Sequence, residues 1–221
     1  MFSMKKVLNG VTAVTLVVST VLSTNVFAGE IKNKHPQITK AQLEAFKKED
    51  ARKWAEIDKK YKGKNGYGDY VTEKGLILVT KDGSSGSFIG HAAIMWSPAR
   101  IVEAMPDDSG STVGVDCGVF ANNNNWDSIH GSCYISRPKN TNLCERESAA
   151  NWCHEQIGKS YLWPNTAFCW WKEARYKFYC SHLVWAGYND AVGIDLAPGA
   201  NLYIAPNDLL NDQFVDMLYV K

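Results

Sequence analysis

Near its start the chain has a mostly apolar stretch over residues 7–21, preceded by two lysines and followed by the small residues Val26 and Ala28 at the usual cleavage positions. A basic start, an apolar segment and a cleavage-type ending are typical of a secretory signal peptide, so we expect residues 1–28 to be removed on export. No later stretch is long and apolar enough to predict a transmembrane helix. The mature protein is therefore expected to be secreted or held in the cell envelope, without an integral membrane segment.

The next segment has the spacing of an amphipathic helix. After a polar lead, Thr39 precedes a run in which apolar residues recur at helical intervals, namely Leu43, Phe46, Trp54, Ile57 and Tyr61. The Gly- and Lys-rich stretch 62–68 ends this pattern. Residues 29–68 are thus expected to form a lead and a helix packed on the following domain, with docking to the cell surface as the alternative.

Short apolar runs separated by turn residues predict β-strands over 75–80, 89–96, 100–105, 112–119 and 129–137. Residues 97–99 would join two of these strands in a hairpin, and the Asn-rich segment 122–125 predicts a loop. Helical patterns return after a capping box at Asn142 and Glu145, and again from Cys180 to Gly193. Strands followed by helices predict an α+β fold over 69–221, with an antiparallel sheet packed against helices.

The net charge bears on the class of partner, and the length bears on the number of domains. The 24 basic and 23 acidic residues give a net charge of +1, which becomes −1 once the two lysines of the signal peptide are lost. This balance gives no support for nucleic-acid binding. The 193 residues that follow the first 28 suit one domain with a proper core. The oligomeric state is not defined by the sequence.

Export permits disulfides, and six cysteines follow the signal peptide: Cys117, Cys133, Cys144, Cys153, Cys169 and Cys180. If Cys180 is a free nucleophile, the pairing among the other five stays open. Cys117 and Cys133 are weakly favoured as partners because they lie in neighbouring predicted strands. There is no C-x-x-C pair, so a structural zinc site is not expected, and we expect neither a metal nor another cofactor.

Cys180 stands where an aromatic run gives way to a helical pattern. A cysteine at a helix start lies near unpaired backbone N–H groups and the positive end of the helix dipole, which favours the thiolate. A thiolate nucleophile needs a base, and His91 on an apolar strand is our preferred choice. His182 points about 200° away from Cys180 on the same helix. The remaining histidines are His35, His130 and His154.

Glu103 is the predicted orienting group for His91. A three-residue turn at 97–99 would place Ala93 opposite Glu103, which makes His91 and Glu103 diagonal neighbours on one sheet face. A turn one residue shorter or longer would put them on opposite faces. A carboxylate beside the imidazole would fix its tautomer and stabilise the imidazolium. Asp107 and Asp108 are the alternative orienting groups. Glu103 would then be an ordinary solvent-exposed charge on a strand, without a role in the site.

Three motifs together carry a family resemblance: Gly-His-Ala-Ala-Ile at 90–94, Ile-Val-Glu-Ala at 101–104 and Tyr-Cys-Ser-x-Leu-Val-Trp at 179–185. Over residues 75–221 the chain resembles the circularly permuted papain-like amidases of the NlpC superfamily, in particular the YiiX/YaeF-like group. The cysteine helix follows the histidine strand, as in that permuted branch. The resemblance implies Cys180 as nucleophile, His91 as base and Glu103 as orienting group. Leu76 departs from the pattern, because an acid often stands there.

The resemblance and the signal peptide predict an exported cysteine hydrolase that cleaves amide bonds through an acyl-enzyme, with peptidoglycan stem peptides as the expected substrate. The Cys180 backbone N–H is the predicted oxyanion donor, Tyr179 is a candidate for substrate binding, and a second donor is not identified. One alternative is a lipid ester hydrolase or acyltransferase like the lecithin retinol acyltransferase branch. The other is a non-catalytic module that binds the cell wall.

Overall fold

The computed structural model describes residues 39–61, 66–83, 90–106, 118–162, 172–200 and 203–221. The predicted signal peptide lies outside these residues, as do Asp107, Asp108, Cys117 and Cys169. All residues described here belong to one compact unit. Within these ranges, no helix has both the length and the apolar character needed to cross a bilayer.

The elements are arranged around one six-stranded sheet. In chain order they are α1 (Lys40–Tyr61), β1 (Ile77–Thr80), β2 (His91–Ser97), β3 (Arg100–Met105), β4 (Gly118–Asn123), α2 (Trp126–Ile129), β5 (Tyr134–Pro138), α3 (Leu143–Glu155), α4 (Cys180–Val192), a 3₁₀ helix (Pro206–Leu210) and β6 (Val215–Val220). The sheet order is β4-β3-β2-β1-β5-β6, and each neighbouring pair is antiparallel. The predicted α+β class, with an antiparallel sheet packed against helices, is confirmed.

The two faces of the sheet bury different sets of side chains, because successive residues of a strand point to opposite sides. The larger core joins one face to α3 and α4 and includes Ile77, Val79, Ala92, Ile94 and Val102. The smaller core covers the other face and includes Leu78, Ala93, Met95, Ile101 and Trp126. By this alternation His91 and Glu103 belong to the face of the smaller core.

The β2–β3 hairpin reaches its register by a different route from the one that the sequence suggested. We expected Trp96 to face Arg100 across a three-residue turn. Instead, Ser97 pairs with Arg100 around the two-residue turn 98–99, and the register shifts between Met95 and Ser97. Trp96 is therefore the extra residue of a β-bulge.

This bulge compensates for the shorter turn. Ala93 still pairs with Glu103, as the sequence predicted, because one residue lost from the turn is regained within the strand. His91 lies two positions from Ala93 and shares its face. The hairpin thus brings His91 and Glu103 to one side of the sheet as diagonal neighbours.

The two helices behind the sheet begin and end as their sequences indicate. Asn142 and Glu145 form the predicted capping box at the start of α3, with hydrogen bonds of 3.0 and 2.8 Å. α4 begins at Cys180 and ends at Gly193, whose φ of 74° is left-handed. The helices approach closely at Gly187, where a Cβ would lie 2.4 Å from the Cys153 sulfur. Glycine is therefore required at this crossing.

Two predicted boundaries are wrong. The expected loop 122–125 begins inside β4, which runs to Asn123, and asparagine is tolerated there because β4 is an edge strand of the sheet. The expected strand 129–137 begins only at Tyr134, since Ile129 ends the short helix α2. Cys133 is a free thiol buried in the smaller core, which contradicts its expected pairing with Cys117.

Helix α1 is anchored on the C-terminal segment through its buried side. Trp54 packs against the Tyr134 ring at a centroid distance of 5.4 Å, and Asp58 accepts a 2.7 Å hydrogen bond from the Tyr134 hydroxyl. One turn earlier, the buried Asp50 accepts a 2.8 Å hydrogen bond from the Asn207 side-chain amide. The Asn207 amide oxygen is buried without a hydrogen-bond partner.

The Asp50–Asn207 contact predicts a pH-dependent stability. Burial raises the pKa of Asp50 from 3.8 to about 6, against the lowering effect of the Asn207 hydrogen bond. A carboxyl whose pKa is raised by folding stabilises the fold most below its unfolded pKa and loses that contribution as the pH rises through its folded pKa. We expect Asp50→Asn to raise the melting temperature near neutral pH by several degrees, because its amide supplies a donor for Asn207.

The measurement is thermal unfolding of wild type and Asp50→Asn at about pH 4 and about pH 7.5. The gain should be largest at the higher pH and should shrink at the lower one. Glu44→Gln, an exposed change on the same helix, is the matched control and should show no such difference. An Asp50→Asn effect that is equal at both pH values would contradict the assigned titration.

Candidate active site

Cys180 is the first residue of α4 and a free, buried thiol with 5% of its surface exposed. The residue before it, Tyr179, has extended backbone angles and makes no side-chain cap. The first backbone N–H groups of α4 are therefore not capped by that side chain, and the positive end of the helix dipole lies beside the sulfur. This is the environment that the sequence predicted for a thiolate nucleophile.

His91 is the first residue of β2 and is 2% exposed. The chain enters the strand through Gly90, which has a φ of 82°. A Cβ at Gly90 would lie 2.4 Å from the Thr80 carbonyl oxygen of the neighbouring strand. Glycine is thus needed both for the left-handed angle and for the close approach that places His91 at this end of the sheet.

A row of polar side chains crosses three adjacent strands on one face. The His91 Nε2 lies 2.6 Å from Glu103 Oε2, and the Asn122 amide donates to Glu103 Oε1 at 2.7 Å. Glu103 is 6% exposed. Both of its carboxylate oxygens therefore have hydrogen-bond partners from the protein in a site largely shielded from water. The carboxylate is held from one side by β4 and in turn fixes the imidazole on β2.

The thiol and the imidazole are close enough to shift each other's pKa. Burial lowers the pKa of His91, but Cys180 and then Glu103 outweigh it and raise the value to about 10. Burial raises the pKa of Cys180, yet His91 and the backbone N–H groups of Ala92 and Ser181 lower it overall. His91 Nδ1 is buried and makes no hydrogen bond of ordinary geometry, so the attraction between the sulfur and the imidazole is electrostatic.

The surroundings of Glu103 keep it charged. Burial raises the pKa of Glu103, but its hydrogen bond with His91 and that with Asn122 lower it below the usual range. A charged carboxylate next to the imidazole favours the imidazolium, and the imidazolium favours the thiolate. Cys180, His91 and Glu103 therefore form a coupled set in which each charge supports the next.

Trp126 forms one wall of the site. Its ring stacks on His91 at a centroid distance of 5.4 Å and an angle of 19°, and the His130 ring packs on the same indole at 4.5 Å and 56°. Burial, and then the nearby His91 charge, lower the pKa of His130. The indole thus limits the rotation of His91 and also contacts a second histidine.

The other residues singled out from the sequence lie elsewhere. Tyr179 is in the core, stacks on Tyr203 and accepts a hydrogen bond from the Ile204 N–H, so its position gives no support to a role in substrate binding. His182 is buried beside the Lys172 carbonyl, and burial lowers its pKa to about 3. His154 stacks on Trp96, 4.1 Å between ring centroids.

Asn122 and Trp126 are site residues that the sequence argument missed. Both fall in or next to the segment expected to be a loop, where no side-chain direction can be assigned. Glu103 pairs with Phe120 across β3 and β4, and this register would have placed Asn122 on the same face as Glu103. Had β4 been extended past residue 119, Asn122 would have fallen on the face of Glu103, two positions from its partner.

Glu103→Gln tests the coupling of carboxylate and imidazole. The change keeps the shape of the side chain but removes the smaller of the two contributions that raise the His91 pKa, the larger being that of Cys180. We expect kcat to fall about 10²-fold with some turnover remaining, and the high-pH limit of activity to move to lower pH. The measurement is the pH–rate profile of p-nitrophenyl acetate hydrolysis. An unchanged high-pH limit would show that Glu103 does not set the His91 pKa.

The fold and site together define a class: an α+β protein with a buried cysteine–histidine–glutamate constellation. Neither a protein-family model nor a curated protein matches the sequence. Among solved structures, the chain is similar to the metalloprotein yiiX from Escherichia coli O157:H7, with 15% identity and a TM-score of 0.47. The similarity covers 67% of this chain and 97% of that one. No statement about activity follows from a likeness this distant.

Within the described part of the chain, no group of three or more His, Cys, Asp or Glu side chains is arranged to hold a metal ion. The Cys180, His91 and Glu103 side chains instead pair with one another and with neighbouring amides.

Proposed function

We propose that this protein is an exported cysteine hydrolase that cleaves an amide bond through an acyl-enzyme. The observation that carries the proposal is the electrostatic pairing of a free, buried thiol at a helix start with an imidazole that lies 2.6 Å from a carboxylate. Cys180 is the proposed nucleophile, His91 the base and Glu103 the group that orients His91. The motifs at 90–94, 101–104 and 179–185 resemble those of permuted papain-like amidases, which supports the same roles.

The chemistry follows from the charges. The Cys180 thiolate attacks the substrate carbonyl carbon, and the electron pair of the C=O bond moves to oxygen. The tetrahedral intermediate collapses as the His91 imidazolium gives its proton to the leaving amine. Neutral His91 then takes a proton from water, which attacks the thioester and releases the acid and the thiol. Glu103 stays ionised throughout and stabilises each imidazolium state.

Peptidoglycan stem peptides are the substrate class that we favour. The support is the signal-peptide pattern of residues 1–28, which would deliver the protein to the cell envelope, together with the family resemblance. No residue of the site argues for nucleic acid. A lipid ester hydrolase or acyltransferase would use the same thiol chemistry on a different acyl group, and a wall-binding module would use none.

The substrate test compares purified mature protein with Cys180→Ala on a peptidoglycan digest and on phospholipid vesicles, with mass analysis of the products. We expect new stem-peptide fragments from the wild type only. Fatty-acid release from vesicles with intact muropeptides would favour the lipid enzyme instead. Binding to insoluble wall material without any products, by both proteins, would favour the non-catalytic module.

A further inference from the structure

The segment just before the 3₁₀ helix is buried but irregular. Ile204 is fully buried, yet residues 203–205 belong to no helix or strand. Buried backbone N–H and C=O groups need hydrogen-bond partners, and here side chains supply them. The Ile204 N–H donates to the Tyr179 hydroxyl at 3.0 Å, and the Ile204 carbonyl accepts from the Ser181 hydroxyl at 2.6 Å. Ile204 thus holds the chain on both sides of the nucleophile, Cys180.

The same segment is fixed from its other side, so it can serve as an anchor. The Ala205 N–H donates to one oxygen of the Asp208 carboxylate at 2.8 Å. The other oxygen of that carboxylate accepts from the Lys53 ammonium of α1 at 2.6 Å. Residues 204–205 are therefore held by α1 and by the 3₁₀ helix, in addition to their bonds to the start of α4.

Ser181 contacts the nucleophile as well as this anchor. It is the second residue of α4 and is fully buried, and its oxygen lies 4.0 Å from the Cys180 sulfur. Burial raises the pKa of Cys180, and the backbone N–H of Ser181 is one of the groups that lower it. The Tyr179 side chain does not cap the helix. The hydrogen bond from Ser181 to Ile204 therefore ties an uncapped first turn to a distant, fixed segment.

We infer that Ser181 is a positioning residue: its hydroxyl, bound to the Ile204 carbonyl, fixes the first turn of α4 and with it the Cys180 sulfur. The inference deepens the hydrolase function proposed above and rests on it. Ser181 takes no part in proton transfer, because its hydroxyl donates its own proton to the Ile204 carbonyl. Its contribution is geometric, and a displacement of about 1 Å in an active site can cost on the order of 10² in rate.

Ser181→Ala tests this role, because it leaves the buried Ile204 carbonyl without this donor. For p-nitrophenyl acetate we expect kcat to fall about 10- to 100-fold while KM stays within about twofold, since the reacting groups are displaced and the binding surface is kept. The pH profile of Cys180 alkylation by iodoacetamide should move to higher pH. Burial raises the thiol pKa, and a displaced sulfur keeps less of the His91 interaction that opposes it. Ser181→Thr restores the hydroxyl and should return both values toward wild type.

Ser136→Ala is the matched control. Ser136 is also fully buried and donates to a backbone carbonyl of the 3₁₀ helix, that of Leu209 at 3.5 Å, but it lies on β5. Its loss should leave kcat and the alkylation profile unchanged. Mass mapping of the alkylated sites reports on folding in every variant, because the buried free thiols Cys133 and Cys153 should stay unlabelled while the fold is intact.

A wild-type kcat together with a wild-type alkylation profile in Ser181→Ala would overturn the inference. Equal shifts in Ser136→Ala would also overturn it, because they would indicate a general loss of stability. If Ser181→Ala is unfolded, Tyr179→Phe decides instead. It breaks the other side-chain bond to Ile204 and should move the profile in the same direction, whereas an unchanged profile would overturn the inference.

The two proposals fail in distinguishable ways. If the wild type forms no acyl-enzyme at Cys180, the hydrolase function is overturned. The alkylation profiles of wild type and Ser181→Ala need no turnover, so they still decide whether Ser181 positions the sulfur.

Discussion

Cys180→Ala is expected to abolish the hydrolysis of p-nitrophenyl acetate and of any amide substrate, with a loss of about 10⁴-fold or more in kcat. The thiol is the group that forms the covalent bond, and the structure shows no second nucleophile among the described residues that pair with His91. Residual turnover should equal that of the solution without enzyme. The measurement is steady-state release of p-nitrophenol, combined with mass detection of the acetylated protein.

Cys144→Ser is the matched control for this prediction. Cys144 is also a free thiol, but it is exposed, and it lies on α3 away from the polar row. Cys144→Ser should release p-nitrophenol at the wild-type rate. Its mass should increase by one acetyl group on reaction, as that of the wild type does. Substantial turnover in Cys180→Ala, or acetylation that persists in that variant, would place the nucleophile at another residue and would sink the hydrolase mechanism.

His91→Ala should lower turnover by about 10³-fold or more and should also reduce the reactivity of the thiol itself. In the wild type the Cys180 pKa is lowered and the His91 pKa is raised to about 10, so the thiolate–imidazolium pair persists between those two values. Without the imidazole, only the backbone N–H groups of Ala92 and Ser181 oppose the raising effect of burial, so we expect the thiol pKa to rise. Alkylation by iodoacetamide near pH 7 should then fall on the order of 10²-fold.

The pH profile of alkylation makes this prediction specific. The wild type should already react at a nearly constant rate below the usual pKa of a thiol, whereas His91→Ala should react only as the pH rises through its higher thiol pKa. His154→Ala, a change to a histidine that stacks on Trp96, serves as the control and should keep the wild-type profile. A wild-type profile in His91→Ala would mean that the imidazole does not activate the sulfur.

Local patterns in the sequence predicted the elements that place the nucleophile. The α4 helix starts at Cys180, where the aromatic run of the sequence gives way to a helical pattern. It stops at Gly193, which takes the left-handed angle that ends many helices. The capping box of α3 and the helical spacing of α1 were equally readable. These features depend on neighbouring residues only, so a single sequence suffices to find them.

The remaining parts of the site depend on contacts between distant segments. Asn122 was hidden because its role follows from the pairing of β4 with β3, not from its own low preference for strands. Ile204 is bound to Tyr179 and Ser181, the residues on either side of Cys180, through hydrogen bonds between residues more than twenty positions apart. No pattern along the chain encodes such a meeting.

The bulge at Trp96 has a consequence for how related sequences should be compared. Because of the bulge, a separation of 12 positions places the His91 and Glu103 side chains on the same face of the sheet. A separation one residue longer or shorter would place them on opposite faces. Consider a homologue that keeps both residues but has one residue more or fewer between them and no compensating bulge. Its histidine and glutamate would lie on opposite faces of the sheet and could not form the hydrogen bond. Counting that interval is thus a sharper criterion for inferring shared activity than matching residue identities.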